Sequence, residues 1–194
     1  KSGEAPGLMK YIPQGGTLTI NEYATSSPTI VGHPGAEGAA GVAAVPWTMT
    51  PAYGESNIQL EDFSSDGPVT ILFDTDGNRL ETEEIRDTPL LTAPDATYTN
   101  FFAQEEAEGV YSFSGTSAAA PNAAAVAALL RSAVPTATRE QVLDAMTATA
   151  VDMYDSEYDY DSGYGLVQAD DALAWLTQGA DFAPVYGFTL GNDQ

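Results

Sequence analysis

Phe113-Ser-Gly-Thr-Ser-Ala-Ala-Ala-Pro121, running on as Asn122-Ala-Ala-Ala-Val-Ala-Ala-Leu-Leu-Arg131, decides how the rest of the chain is read. A glycine turn carrying hydroxyls feeds a helix made mostly of alanine. A helix this small and apolar all round belongs inside a larger core rather than on a surface. Ser117 falls where that helix begins, among backbone N–H groups that lack intrahelical partners and favour negative charge. A nucleophilic serine whose reaction creates an oxyanion suits that place. Pro121 removes an N–H that would otherwise bond back toward residue 117, which loosens the first turn. Serine is a weak nucleophile until a base takes its proton, so Ser117 needs a histidine.

The 194 residues suffice for one well-buried domain. No apolar run reaches the length of a membrane span, and no charged-then-apolar leader opens the sequence. Acidic residues number 28 against 6 basic ones, a formal net charge of −22. Such a surface makes nucleic acid and anionic membranes poor partners, and it suits solubility, a salty medium or affinity for cations. Cysteine is absent, which rules out disulfide and thiolate chemistry and is neutral about compartment.

Along the chain, Thr17-Leu-Thr-Ile-Asn-Glu-Tyr23 alternates and predicts a strand, and Thr29-Ile-Val31 predicts a short one. Gly41-Val-Ala-Ala-Val45 is a continuous apolar run, as expected of a strand covered on both faces in a parallel sheet. Residues 46–61 read as an exposed excursion. Val69-Thr-Ile-Leu-Phe73 predicts a strand, and Asp74-Thr-Asp-Gly-Asn78 a hairpin turn leading into Arg79-Leu-Glu-Thr82. A calcium-loop reading of those acids fails on the placing of the glycine and the terminal acid. Thr88-Pro-Leu-Leu-Thr-Ala-Pro94 reads as extended, and 95–109 as an acidic surface loop.

The alanine-rich helix should end before Pro135. A second helix starts at Thr138, which forms a capping-box pair with Gln141 and is followed by an apolar stripe of Val142, Leu143, Met146 and Ala150. After an acidic, tyrosine-rich loop at 152–161, a last helix spans about 168–176 with Ala169, Ala172, Leu173 and Leu176 as its apolar face. Short strands mixed with helices make α/β the natural class.

The Gly-Thr-Ser-x-Ala-x-Pro string around Ser117, with its alanine-rich helix, resembles the catalytic-serine motif of the subtilisin-like serine peptidases, the subtilases. Other landmarks resemble the same family in the same order. They are Thr29-Ile-Val-Gly-His-Pro34, Phe63-Ser-Ser-Asp-Gly-Pro68, Pro89-Leu-Leu-Thr-Ala-Pro94 and Gly163-Tyr-Gly-Leu-Val-Gln-Ala169. The resemblance implies a doubly wound, mostly parallel α/β fold of which this chain carries the C-terminal part, the serine-bearing portion lying in residues 28–177. On that division, 1–27 is an irregular segment with one strand and 178–194 a peripheral tail. The resemblance further implies Ser117 as nucleophile, with its own N–H in the oxyanion hole, Thr116 lending its hydroxyl there, and Gly32 at the floor of the main specificity pocket.

The family's aspartate and histidine motifs are not found, nor is its oxyanion-hole asparagine. The single histidine, His33, lies in a His-Pro-Gly turn and suits a structural or pocket-lining place better than that of the base. Asn122, Asp66 and Leu90 stand where the family commonly has histidine, arginine and aspartate. The expected function is peptide-bond hydrolysis through an acyl-enzyme at Ser117, in an extracellular or cell-envelope setting. The missing groups would come from upstream sequence or another chain, and the 194 residues alone would be inactive. The alternative is a catalytically inactive binding or structural domain. Polypeptide substrates and the N-terminal half of the same protease are the expected partners, and catalysis needs no cofactor. Calcium, which subtilases often carry, has a candidate in Asp152, Asp155, Glu157, Asp159 and Asp161, for which a solvated loop is the simpler reading.

Overall fold

The computed structural model describes residues 9–12, 18–23, 25, 27–100 and 104–178. Among them, in chain order, are strands β1 (Val42–Pro46), β2 (Val69–Phe73), β3 (Arg79–Arg86), β4 (Leu91–Asp95), β5 (Thr97–Thr99), β6 (Gln104–Ala107) and β7 (Val110–Phe113). Three helices follow: α1 (Thr116–Ala133), α2 (Arg139–Ala148) and α3 (Ala169–Thr177). None of these helices is long and apolar enough to cross a membrane.

The centre is the parallel pair β1–β4, in register from Val42 beside Leu91 to Pro46 beside Asp95. Ala43, Ala44 and Val45 are buried, as the continuous apolar run predicts for a strand covered on both faces. Residues 163–167 run along the other side of β4. Tyr164 N–H donates to the Leu90 carbonyl at 2.9 Å, Thr92 N–H to Gly165 at 2.8 Å, and Val167 N–H to Thr92 at 3.0 Å. The Gly-Tyr-Gly-Leu-Val string is thus a third extended stretch of the central sheet. The free edge of β1 is closed by Ser64, whose Oγ accepts the Ala44 N–H at 2.9 Å.

The core joins Ala44, Leu91 and Ala93 of this sheet to Ala119, Ala123 and Leu130 of α1, with Val142, Ala145 and Met146 of α2 and Ala172 of α3. Most of these side chains are small. The few large ones therefore matter disproportionately, since a fully buried leucine such as Leu91 or Leu130 contributes about 1.5–3 kcal/mol. The start of α2 is closed reciprocally: Gln141 N–H donates to Thr138 Oγ1 at 3.2 Å, and Thr138 N–H donates to Gln141 Oε1 at 2.9 Å. Thr138→Ala is expected to cost about 1 kcal/mol, read as a lower urea midpoint at unchanged slope.

β2 and β3 form the predicted antiparallel hairpin. In its turn, Asp74 Oδ1 accepts the N–H groups of Asp76 and Asn78 at 3.0 and 2.7 Å. The hydrogen bonds from the Asn78 side chain and backbone hold the Asp74 carboxyl below its ordinary range. Glu81, Glu83 and Glu84 of β3 are exposed, and the one ion pair among the described residues joins Arg86 Nε to Glu84 Oε1 at 2.6 Å. Most of the acidic surface therefore lacks a cationic neighbour. Raising salt from 0.1 to 1 M shortens the screening length from about 10 to about 3 Å and is expected to raise Tm. A Tm that falls or stays level in a salt series would show that self-repulsion is unimportant here.

Several expectations need correcting. Residues 18–23 are exposed and form no strand, because among the described residues no neighbour pairs with their backbone; Thr17 lies outside the described residues. Thr29 and Ile30 are not a strand either, since both N–H groups converge on one acceptor, the Asp66 carbonyl, at 2.9 and 3.1 Å. The stretch 95–109 expected to be a loop contains β5 and β6, which pair with β7 directly after it as an antiparallel sheet in the order β5-β7-β6. Its polar residues Glu105 and Glu106 face solvent, so backbone pairing rather than apolar alternation defines it. On α3 the covered residues are Ala172, Trp175 and Leu176, whereas Ala169 and Leu173 are exposed. The expected tail lies outside the described residues beyond 178.

The largest correction concerns α1, which is not buried all round. Ala120, Pro121, Ala124, Ala125, Ala128 and Leu129 form an exposed face, Leu129 at 65%. α1 packs on β1, β4, α2 and α3 by its opposite side, and nothing among the described residues covers the rest.

Candidate active site

Ser117 is the second residue of α1 and is exposed; Thr116, the first, is half-buried. The turn before them depends on Gly115, whose φ of 110° and ψ of 164° an L side chain rarely adopts. Its carbonyl accepts the N–H groups of Ala118 and Ala119 at 2.8 and 3.1 Å, which starts the helix. The N–H groups of Thr116 and Ser117 meet no acceptor among the described residues, as first-turn groups of a helix do not. Both therefore remain available to an anion. Pro121 lies within the helix and has no N–H to give the Ser117 carbonyl.

Two contacts anchor this helix start to the end of β4. Asn122 Nδ2 donates to the Pro94 carbonyl at 2.8 Å, and Gly115 N–H donates to Asp95 Oδ2 at 2.7 Å. Asp95 is fully buried. Burial pushes its carboxyl above the ordinary aspartate range, against the opposing hydrogen bond from Gly115. The sequence reading did not single out Asp95. The available signal was an acid directly after the apolar run Leu90-Leu-Thr-Ala-Pro94, where a charge has to find a buried partner.

A groove of about 530 Å³ opens beside Ser117, with Ile30, Val31, Val42 and Phe63 giving it apolar walls and Thr116 and Ser117 at its lining. Val31 and Pro34 line it, but Gly32 between them does not. Gly32 has a φ of 78°, and a Cβ added there would meet nothing within 4 Å. Within this chain, glycine at 32 is demanded by backbone conformation, not by crowding.

His33 is exposed, and its side chain makes no hydrogen bond to Ser117 or to any other described residue. In the acidic loop, Asp159 is spent on its own turn: Oδ1 accepts the N–H groups of Asp161 and Ser162, both at 2.7 Å, and Oδ2 accepts Ser162 Oγ at 2.7 Å. Asp152 Oδ2 accepts the Glu157 N–H at 3.2 Å. Among the described residues no three acidic, histidine or cysteine side chains converge as a metal cradle.

These features define an α/β domain that presents a serine at a helix N-terminus beside an open groove. The subtilase family model matches residues 1–165, and the chain belongs to that family. Among solved structures the chain is similar to fervidolysin from Fervidobacterium pennivorans, described as a keratinolytic enzyme related to subtilisin. There the identity is 24% and the TM-score 0.53, covering 73% of this chain and 20% of that one. It is also similar to the Clostridium perfringens CspB protease at 25% identity and a TM-score of 0.49, over 74% of this chain and 28% of that one. The likeness to fervidolysin supports the fold. The chain spans under a third of each of these structures. No match is found among curated proteins.

Proposed function

We propose that this chain is the serine-bearing portion of a subtilisin-like endopeptidase working outside the cell or in the cell envelope, with Ser117 as its nucleophile. The observation that carries the reading is the exposure of Ser117 at the start of α1, with the first-turn N–H groups uncommitted and a groove alongside. The catalytic histidine and aspartate come from upstream sequence or from another chain. That portion docks on the exposed alanine face of α1, whose small side chains allow close approach and which belongs to the same helix as the nucleophile.

The chemistry follows from this placement. Ser117 Oγ gives its proton to the imidazole base and bonds to the peptide carbonyl carbon. The oxyanion so formed is held by the Ser117 N–H, with the Thr116 hydroxyl beside it. Collapse breaks the C–N bond, and the departing amine takes the proton from the imidazolium. Water then repeats the sequence on the ester and frees Ser117. The apolar walls of the groove favour apolar side chains on the polypeptide substrate.

A fluorophosphonate probe on the full-length, folded protein is expected to label Ser117. A folded preparation that takes no label at Ser117 would replace this reading with the inactive binding domain.

A further inference from the structure

Asp95 and Glu61 hold a relation that neither peptide hydrolysis nor the packing of the core explains. Asp95 Oδ2 accepts the Gly115 N–H, while Oδ1 of the same carboxyl is buried and meets no donor among the described residues. The Glu61 carboxyl lies within hydrogen-bonding reach of it. Glu61 is itself fixed to the sheet, its N–H donating to the Ala44 carbonyl at 2.9 Å. An ionised, half-buried Glu61 beside a fully buried, ionised Asp95 is unfavourable, and an unpaired buried oxygen is costly. A single proton answers both problems: carried by Glu61, it becomes the donor that Asp95 Oδ1 lacks.

We propose that Glu61 and Asp95 share a proton, and that this pair sets the Gly115 turn, making Asp95 a positioning residue for Ser117. Asp95 grips the N–H two residues before the nucleophile, and Gly115 in turn accepts the bonds that begin α1. A shift of the Asp95 carboxyl therefore moves the Ser117 N–H relative to a bound oxyanion. The role at Ser117 rests on the proposed function; the proton sharing does not.

The titratable groups facing the pair are few. Asp62 acts on Glu61, and the turn 113–116 carries none. Burial raises Glu61, with the Asp95 charge and hydrogen bond adding to it, and burial raises Asp95. The raised groups stabilise the turn fully below the ordinary carboxylate range. That contribution is lost as pH rises through the raised values, which belong to the pair and not to either residue. Above them, two anions oppose each other and Asp95 is pushed from its place.

The test uses full-length protein labelled with ¹⁵N-glycine and, separately, the rate of fluorophosphonate labelling, both followed from pH 4 to 9. The Gly115 amide resonance is expected to shift in a step above the ordinary carboxylate range, and labelling is expected to slow across that step. Glu61→Gln supplies a permanent donor to Asp95 Oδ1. Because Asp95 keeps its own carboxyl, the variant should move the step in the Gly115 resonance to lower pH and label faster than the natural protein at high pH. Asp95→Ala should slow labelling at every pH by about tenfold or more, since small displacements near a reacting atom are expensive. A Gly115 resonance that does not titrate, or whose step keeps the same midpoint in Glu61→Gln, overturns the proposal. If the resonance behaves as expected while Ser117 takes no label at any pH, the pair stands and the peptidase reading falls.

Discussion

Replacing Ser117 by alanine is expected to abolish fluorophosphonate labelling and to lower kcat of the assembled peptidase by on the order of a million-fold. That magnitude comes from a related serine peptidase rather than from this chain. The reason lies in cooperation: base, orienting acid and nucleophile act as one unit, so loss of the nucleophile forfeits nearly all their joint effect. What survives is stabilisation of the oxyanion by backbone N–H groups, which Ser117→Ala leaves in place at the start of α1. The measurement is turnover of a peptide substrate by wild-type and variant protein prepared identically. Equal rates would show that Ser117 is not the nucleophile, even if the protein is a peptidase. The fold should be unaffected, because Ser117 is exposed and its side chain makes no hydrogen bond among the described residues.

The second large effect is on stability. Gly165→Ala is expected to cost more than about 3 kcal/mol, a large share of the roughly 5–15 kcal/mol that holds a typical domain together. Two penalties combine. Gly165 has a φ of 103°, and an added Cβ would lie 2.1 Å from the Val151 carbonyl oxygen and 2.7 Å from its carbon. The obstacle is backbone, so no side chain can swing aside, and relief requires 163–167 to leave β4. That would break the Thr92 N–H bond to the Gly165 carbonyl and the paired bonds between Val151 and Leu166. Gly77→Ala is the control, since Gly77 has a φ of 83° but nothing within 4 Å of an added Cβ. It should cost only the conformational part, about 1–2 kcal/mol. If urea unfolding gives the two variants equal losses, close backbone approach is not what demands glycine at 165.

Features set by near neighbours were legible in the sequence. The Asp74 turn, the capping box of Thr138 and Gln141, and the end of α1 ahead of Pro135 appear as expected, because each is a contest between residues a few positions apart. The burial of β1 was equally readable from its unbroken apolar run. The antiparallel sheet of β5, β6 and β7 was not. Its strand β6 carries Glu105 and Glu106 on the solvent side, and polar threonines and serine stand among the half-buried residues of β5 and β7, which leaves no clean apolar alternation. The exposed face of α1 was also hidden: a run of alanine announces that a helix can be closely packed, not which of its sides has a neighbour.

For the site, the sequence by itself determined the local setting of Ser117. Gly115, Ser117, the alanines and Pro121 follow one another directly, and the turn, helix start and missing N–H arise from those residues alone. Only the tertiary structure decided what holds that turn. Asp95 lies 20 residues upstream of Gly115, and the two do not meet until α1 packs on β4 and brings the Gly115 N–H to the Asp95 carboxyl. Side-chain type is local, whereas the burial that raises the Asp95 carboxyl above its ordinary range belongs to the packed molecule.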